Sequence, residues 1–363
     1  MVKKIVFCTL RPNKGATGGP GGVLYLQMTT LGNDINGIPC EYWFNTINLR
    51  LGFIGRWFNA AIFYMRALFT KDAYFFTHDV VSGDILARLG KHYSMIFHHQ
   101  GPIVEENLNL GFRRSPRQLR SFACKERNTF INAKTLHFPA NGAAEMYFSS
   151  KYSNCKREEV KVCPALYNII PFVVPVKPKG FLLDRDDNMI TLFSLGTLTI
   201  AKGQDQVIEF IKKYILMFTK PLRYIMVGNG PLKDELIKEL NEIKTKYPSF
   251  EFNYFERVPH DAVMYLHKIS DIYIMLHRIS IFDFATLEAM SQKSAIILSK
   301  VGGNIDFNMD NNIIYAEDVN KDSTILANAD IQALKNKNYA VFCEKFSKEA
   351  FVQQYQDFFK KVL

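Results

Sequence analysis

Two hydrophobic patterns alternate along this chain. Short unbroken apolar runs, KIVFCTL (4–10), AYFFTHD (73–79) and SMIFHHQG (94–101), lie in the front half. The rear half carries MITLFSLG (189–196), RYIMVGNG (223–230), DIYIML (271–276) and AIILSK (295–300). Runs of this length without a two-residue alternation predict strands buried on both faces. Between them lie stretches of helical character: VLYLQMTTL (23–31), QDQVIEFIKKYILMF (204–218), PLKDELIKELNEIKTKY (231–247) and ATLEAM (285–290). Strands interleaved with helices predict parallel sheets covered on both faces, the doubly wound α/β class.

PFVVPVKPKG (171–180) has three prolines in ten residues and reads as a linker, because proline restricts the backbone and removes a donor. With 363 residues, 48% of them hydrophobic, two globular domains on either side of that linker are expected. In such folds ligands sit outside the carboxyl ends of the strands, so a cleft between two sheets is the expected site. There is no internal repeat and no low-complexity tract.

Charge divides at the same linker. Residues 1–170 hold 21 Lys and Arg against 11 Asp and Glu, whereas 171–363 hold 24 of each. The whole net charge of +10 therefore belongs to the front half, which is where an anionic partner should bind. The segment LGFIGRWFNAAIFYMRALFT (51–70) approaches membrane-spanning length, but Arg56, Asn59 and Arg66 interrupt it. It reads either as a helix packed in the domain core or as an interfacial helix with Trp57 and Phe63 entering lipid. Further on, Arg113, Arg117 and Arg120 would form a basic stripe if 109–127 were helical; the alternative is a solvated charged face. The six cysteines (8, 40, 124, 155, 163, 343) form no CxxC pair, which argues against a zinc site. With no export signal in MVKKIVFCTLRPNKG, they also suit the reducing cytoplasm, and a peripheral position on the inner membrane face agrees with the charge.

Four stretches at strand ends offer chemistry. KGATGGPGG (14–22) has five glycines within 15–22, and glycine amides ahead of a helix suit phosphate, though the spacing is not GxGxxG. His98 and His99 end an apolar run, as hydrogen-bonded structure or as a base or donor to a substrate hydroxyl. In SLGTLTIAKGQD (194–205), Lys202 precedes a helix, where it is either a surface lysine or a point charge for phosphate. Glu288 stands on an apolar helix face, and a buried acid needs hydrogen-bonding partners.

Taken in this order, these stretches resemble a GT-B glycosyltransferase of the large group 1 family, numbered four among glycosyltransferases. The resemblance covers SLGTLTIAKGQDQVIEFI, YIMVGNGPLKDEL, the run from SDIYIML through TLEAM to SKVGGNIDF, and the ending EKFSKEAFVQQYQDFFKKVL. It implies two Rossmann-like domains facing across a cleft. These would be an acceptor-binding domain over 1–172, a nucleotide-sugar domain over 181–342, and a closing helix over 343–363 that crosses back to the first. The implied reaction transfers a sugar, with retention, from a nucleotide diphosphate to a glycan or lipid-linked oligosaccharide in surface polysaccharide synthesis. Neither metal nor cofactor is implied.

By position, Glu288 matches the second acid of the family's E-x7-E pattern, on the donor ribose. Lys202 matches the diphosphate lysine, and Gly21 and Gly22 the glycine loop near the transferred sugar. His99, or else His98, matches a histidine at the acceptor side of the reacting centre. Phe282, Asp283, Phe284 and Ala285 would turn backbone amides to sugar and phosphate. The chain departs from the pattern at three points. Ser280 replaces the first acid, Asp283 a glycine, and Thr197 the arginine usual before the lysine; losing that arginine removes one phosphate charge. These departures leave open a catalytically silent GT-B protein that binds nucleotide-sugar or glycan as a partner subunit. An epimerase of the same fold would need paired acids that the sequence does not place. No recognition-helix motif accompanies the basic charge, so nucleic acid is not an expected partner.

Overall fold

A computed structural model describes residues 2–13, 15–16, 19–45, 52–109, 111–179 and 181–363, with the backbone alone for 52–53. The chain divides into two compact units, one of residues 1–171 and 347–363, the other of 172–346.

In the first unit the elements are β1 (Lys4–Pro12), α1 (Pro20–Leu31), β2 (Asp34–Ile35), β3 (Ile38–Asn45), α2 (Gly52–Phe69) and β4 (Ala73–Thr77). They continue with α3 (Val80–Arg88), β5 (Tyr93–Ile96), α4 (Ile103–Asn109), α5 (Pro116–Asn132), β6 (Leu136–His137) and α6 (Asn141–Ser149). The sheet runs β2-β3-β1-β4-β5-β6, parallel except for the β2–β3 hairpin. The central strands β1 and β4 register Ile5 to Tyr74 and Phe7 to Phe76. All four side chains are buried, as an unbroken apolar run requires when helices cover both faces.

The second unit begins with β7 (Ile190–Leu195), α7 (Gln204–Tyr214), β8 (Leu222–Val227), α8 (Lys233–Lys246), β9 (Glu251–Phe255) and α9 (His260–Ile269). It closes with β10 (Ile272–Met275), α10 (Phe284–Ser291), β11 (Ala295–Leu298), β12 (Ile313–Tyr315), α11 (Ala316–Lys321), α12 (Thr324–Ala327) and α13 (Ile331–Val341). Its sheet order is β12-β11-β10-β7-β8-β9, parallel throughout. Strand order reverses between β7 and β10, which both feed loops at their carboxyl ends.

The last helix, α14 (Lys348–Val362), follows a π-helical turn at Phe342–Phe346 and is capped by Ser347, whose side chain accepts from the Ala350 amide. It packs in the first unit. Phe351, Tyr355, Phe358 and Phe359 are buried there with Phe7 and Phe76, and the Tyr355 hydroxyl meets Gln27 Nε2 at 2.6 Å.

Two expectations about the front half need correction. Phe63 does not face outward: it is 5% exposed and packs edge-on to Trp43, with ring centres 6.0 Å apart. Trp57 is 60% exposed, and Ile54, Phe58, Ile62, Met65, Leu68 and Phe69 are exposed with it. The helix thus divides into a buried strip through Asn59, Phe63 and Ala67 and a broad apolar outer face. A four-residue spacing puts Phe63 on the strip and leaves Trp57 off it. Arg113 likewise cannot share a helical stripe with Arg117 and Arg120, because α5 starts only after the Ser115 cap and Pro116. Among the described residues no helix is long and apolar enough to cross a membrane.

Candidate functional site

In the second unit the sequence places Lys202 in the turn between β7 and α7. Gly203 closes that turn at φ 76° as the N-cap, and a Cβ there would lie 1.8 Å from the carbonyl oxygen of Leu276. Glycine is required for both reasons, conformation and room. The turn is fixed from the other side by Arg278. Its amide donates to Ala201 O, its guanidinium donates to Ile200 O, and it forms a two-pronged ion pair with Asp205 at 2.8 and 2.6 Å.

Held in this way, Lys202 Nζ lies 3.6 Å from Asp283 Oδ1 and 3.4 Å from His277 Nε2, and His277 Nε2 is 3.6 Å from the same carboxylate oxygen. Asp283 caps α10. Its Oδ2 accepts from the Thr286 amide at 3.1 Å, the Thr286 hydroxyl at 3.0 Å and the Tyr273 hydroxyl at 3.0 Å. Burial alone would raise the Asp283 pKa, but Lys202, His277 and these donors outweigh it, so the carboxyl stays ionised below its usual range. Burial pulls His277 down to about 4, with Asp283 opposing and Lys202 adding to the fall. The Asp283 carboxylate is therefore ionised beside a neutral imidazole.

Glu288, further along α10, does not reach Lys202's partners. It faces α9, with Oε1 2.7 Å from His260 Nε2 and Oε2 3.8 Å from His267 Nε2. Burial acts to raise its pKa, and the two imidazoles outweigh it and leave it lowered. His260 is raised in turn, first through the hydrogen bond to Glu288. Ser280 is buried, and its carbonyl accepts from the Gly303 amide at 2.9 Å. Phe282 stacks on Phe307 with ring centres 4.8 Å apart, and Ala285 is buried. Phe284 sits in the first turn of α10, where helix amides lack intrahelical partners. Thr197 is exposed, and its carbonyl accepts from Thr199 N.

In the first unit, Gly21 and Gly22 lie in the first turn of α1 rather than in the preceding loop. Pro20 starts the helix early, and a Cβ on Gly21 would come within 2.6 Å of Pro12 O. Lys14, Thr17 and Gly18 of that loop lie outside the described residues. His98 and His99 diverge. His98 stacks on His78 (ring centres 5.3 Å apart, Nε2 to Nδ1 3.1 Å), and burial pulls it down to about 3. His99 Nδ1 bonds Glu106 Oε2 and keeps partial exposure.

The histidines at 78, 260, 267 and 277 were not singled out from the sequence. Each is an isolated His on or next to an apolar run, and only folding brings it to a carboxylate or a second ring. Among the described residues no group of three or more His, Cys, Asp or Glu is arranged to hold a metal.

Residues 181–351 match the family described as glycosyl transferases group 1. No curated protein matches the chain by sequence. Solved structures resemble it over nearly its full length at low identity. Sucrose-phosphate synthase from Thermosynechococcus elongatus has a TM-score of 0.65 at 13% identity, with 99% of both chains covered. HepE from Anabaena, in complex with UDP, reaches 0.61 at 15%, covering 99% of this chain and 100% of that one. An α,α-trehalose-phosphate synthase (UDP-forming) from Burkholderia vietnamiensis gives 0.65 at 12%, with 99% of both covered. The rear unit thus matches the group 1 glycosyl transferases, and over its whole length the chain shares the two-domain GT-B fold of these solved structures.

Proposed function

We propose that the chain transfers a sugar, with retention and without a metal, from a nucleotide diphosphate donor to a glycan or lipid-linked oligosaccharide of a surface polysaccharide. The observation that carries this reading is Lys202. It is a partly exposed cation at the switch point of a group 1 sheet, braced by Arg278 and Gly203 and close to the amino end of α10. Departure of a nucleoside diphosphate builds negative charge on phosphate oxygens, and preorganised cations and helix amides stabilise it. Glu288 would accept from the donor ribose, and His99, backed by Glu106, would meet the acceptor hydroxyl. HepE, which binds UDP in its solved complex, supports a uridine donor.

The acceptor and its place follow from the first unit. Its excess of positive charge and the outer face of α2, with Trp57 and Phe58 exposed, suit an anionic membrane surface on the cytoplasmic side. A lipid-linked acceptor would be met there.

One observation favours the second reading, a silent GT-B partner protein: Asp283 already neutralises Lys202, and Ser280 supplies no carboxylate. A thermal-shift screen of UDP-, GDP-, dTDP- and ADP-sugars, followed by an assay of donor hydrolysis and transfer, separates the two. Turnover of any donor supports the enzyme, and stabilisation with no turnover supports the silent partner. No response to any donor removes the enzyme and leaves only a silent partner that binds glycan.

A further inference from the structure

The ion pair at Lys202 has a direction. Asp283 Oδ2 is pinned by three donors, whereas Oδ1 accepts no direct hydrogen bond from a described residue and points at Lys202 and His277 from 3.6 Å each. The carboxylate is therefore the fixed member. The lysine, 32% exposed, is held only by that charge and by a long 3.4 Å contact to His277 Nε2. Around the same point, polar groups stand idle among the described residues. Gln204 is fully buried with both amide atoms unpartnered, and His277 Nδ1 is buried and unpartnered. Gln204 Nε2 and Lys202 Cδ lie 3.4 and 3.7 Å from the position a Cβ on Gly196 would take, so they flank one spot at the end of β7. Native proteins seldom leave such groups idle unless something binds there.

We propose that Asp283 is the resident counter-anion of this unit's phosphate position, so that an incoming diphosphate must take Lys202 away from it. The inference rests on reading Lys202 as the phosphate lysine. A carboxylate and a phosphate compete for one cation, and their like charges repel across the low-dielectric floor of the site. Asp283 thus sets the donor affinity low and favours donors whose other groups compensate for the displaced ion pair. Ionised Asp283 is consistent with this, and the other titratable groups facing it are Lys202, His277 and Tyr273.

Asp283→Asn tests the proposal, because asparagine caps a helix as well as aspartate and keeps an oxygen for Thr286 and Tyr273. Asp283→Ser, also a capping residue, is the second variant should the first fold poorly. Inorganic pyrophosphate, which carries no base or sugar, is titrated by calorimetry into the full-length wild type, Asp283→Asn and the Asp283→Asn/Lys202→Met double variant. The expected result is pyrophosphate binding at least about tenfold tighter in Asp283→Asn than in wild type, with the gain abolished in the double variant. Unchanged or weaker binding in a folded Asp283→Asn or Asp283→Ser overturns the proposal, as does a gain that survives loss of Lys202. The test is independent of catalysis. Tighter pyrophosphate without turnover of any nucleotide sugar keeps this proposal and sinks the enzyme reading, while turnover with no gain does the reverse.

Discussion

Replacing Gly303 by alanine should damage both stability and ligand response, and the size of the effect follows from the packing. Gly303 is the second residue of the turn after β11, and its amide donates to Ser280 O at 2.9 Å. A Cβ at this position would lie 1.6 Å from Ile281 O and 2.4 Å from Ile281 C. Those atoms are backbone, so no rotamer relieves the overlap. The loop has to move by roughly 1.5 Å to reach ordinary contact. Overpacking of this kind costs about 1–3 kcal/mol. Losing the amide bond to Ser280 adds about 0.5–1.5 kcal/mol. The total expected is on the order of 1.5–4.5 kcal/mol, read by urea unfolding of the full chain against wild type. The displaced loop carries Ser280 to Asp283, so the variant should also lose most of its thermal shift with a nucleotide sugar that stabilises the wild type. A change in unfolding free energy below about 0.5 kcal/mol, with a wild-type ligand shift, would refute the account of this loop.

The other predictions concern single groups. Lys202→Ala should slow transfer roughly 100-fold while changing nucleoside affinity little, because its charge meets only phosphate; equal losses in both assays would contradict the assignment. Glu288→Ala should weaken nucleotide binding in calorimetry and release His260. His260 is raised in the folded state, so its contribution to stability is full below the ordinary imidazole range and fades as pH rises through the raised value. Melting curves of wild type against His260→Gln should accordingly converge as pH rises above the ordinary imidazole range. Tyr355→Phe strands the amide of buried Gln27, whose oxygen already has no partner among the described residues, and should cost about 1–3 kcal/mol in unfolding. His98, half-buried and pulled down to about 3, and His137, buried and pulled down to about 4, are neutral in the fold. The unfolded chain binds protons that they do not, so each should cost up to about 1.4 kcal/mol per pH unit below about pH 6.5, seen as acid-sensitive melting. The double change Trp57→Ser with Phe58→Ser should cut flotation with anionic vesicles about tenfold and leave stability within about 0.5 kcal/mol, since both side chains are exposed.

The alternation of apolar runs and helical stretches determined the fold class, because strands buried on both faces cannot be polar on either. KIVFCTL, RYIMVGNG and AIILSK each became an interior parallel strand for that reason. Glycine marked the turns around Lys202 and after Leu298 as well, since its backbone freedom acts locally. Sequence alone thus put Lys202 and Asp283 at strand ends and helix starts, and Glu288 on a helix face. It did not decide their partners. Asp283 and Lys202 are 81 positions apart (283 − 202) and meet only because β7 and β10 pair side by side. Glu288 is held by His260 and His267 only because α9 packs beside α10. The facing of α2, with Phe63 in and Trp57 out, depends on where the sheet offers Trp43 and Phe75. Periodicity is a property of neighbours along the chain. Ion pairing and burial are properties of neighbours in space, and folding alone supplies those.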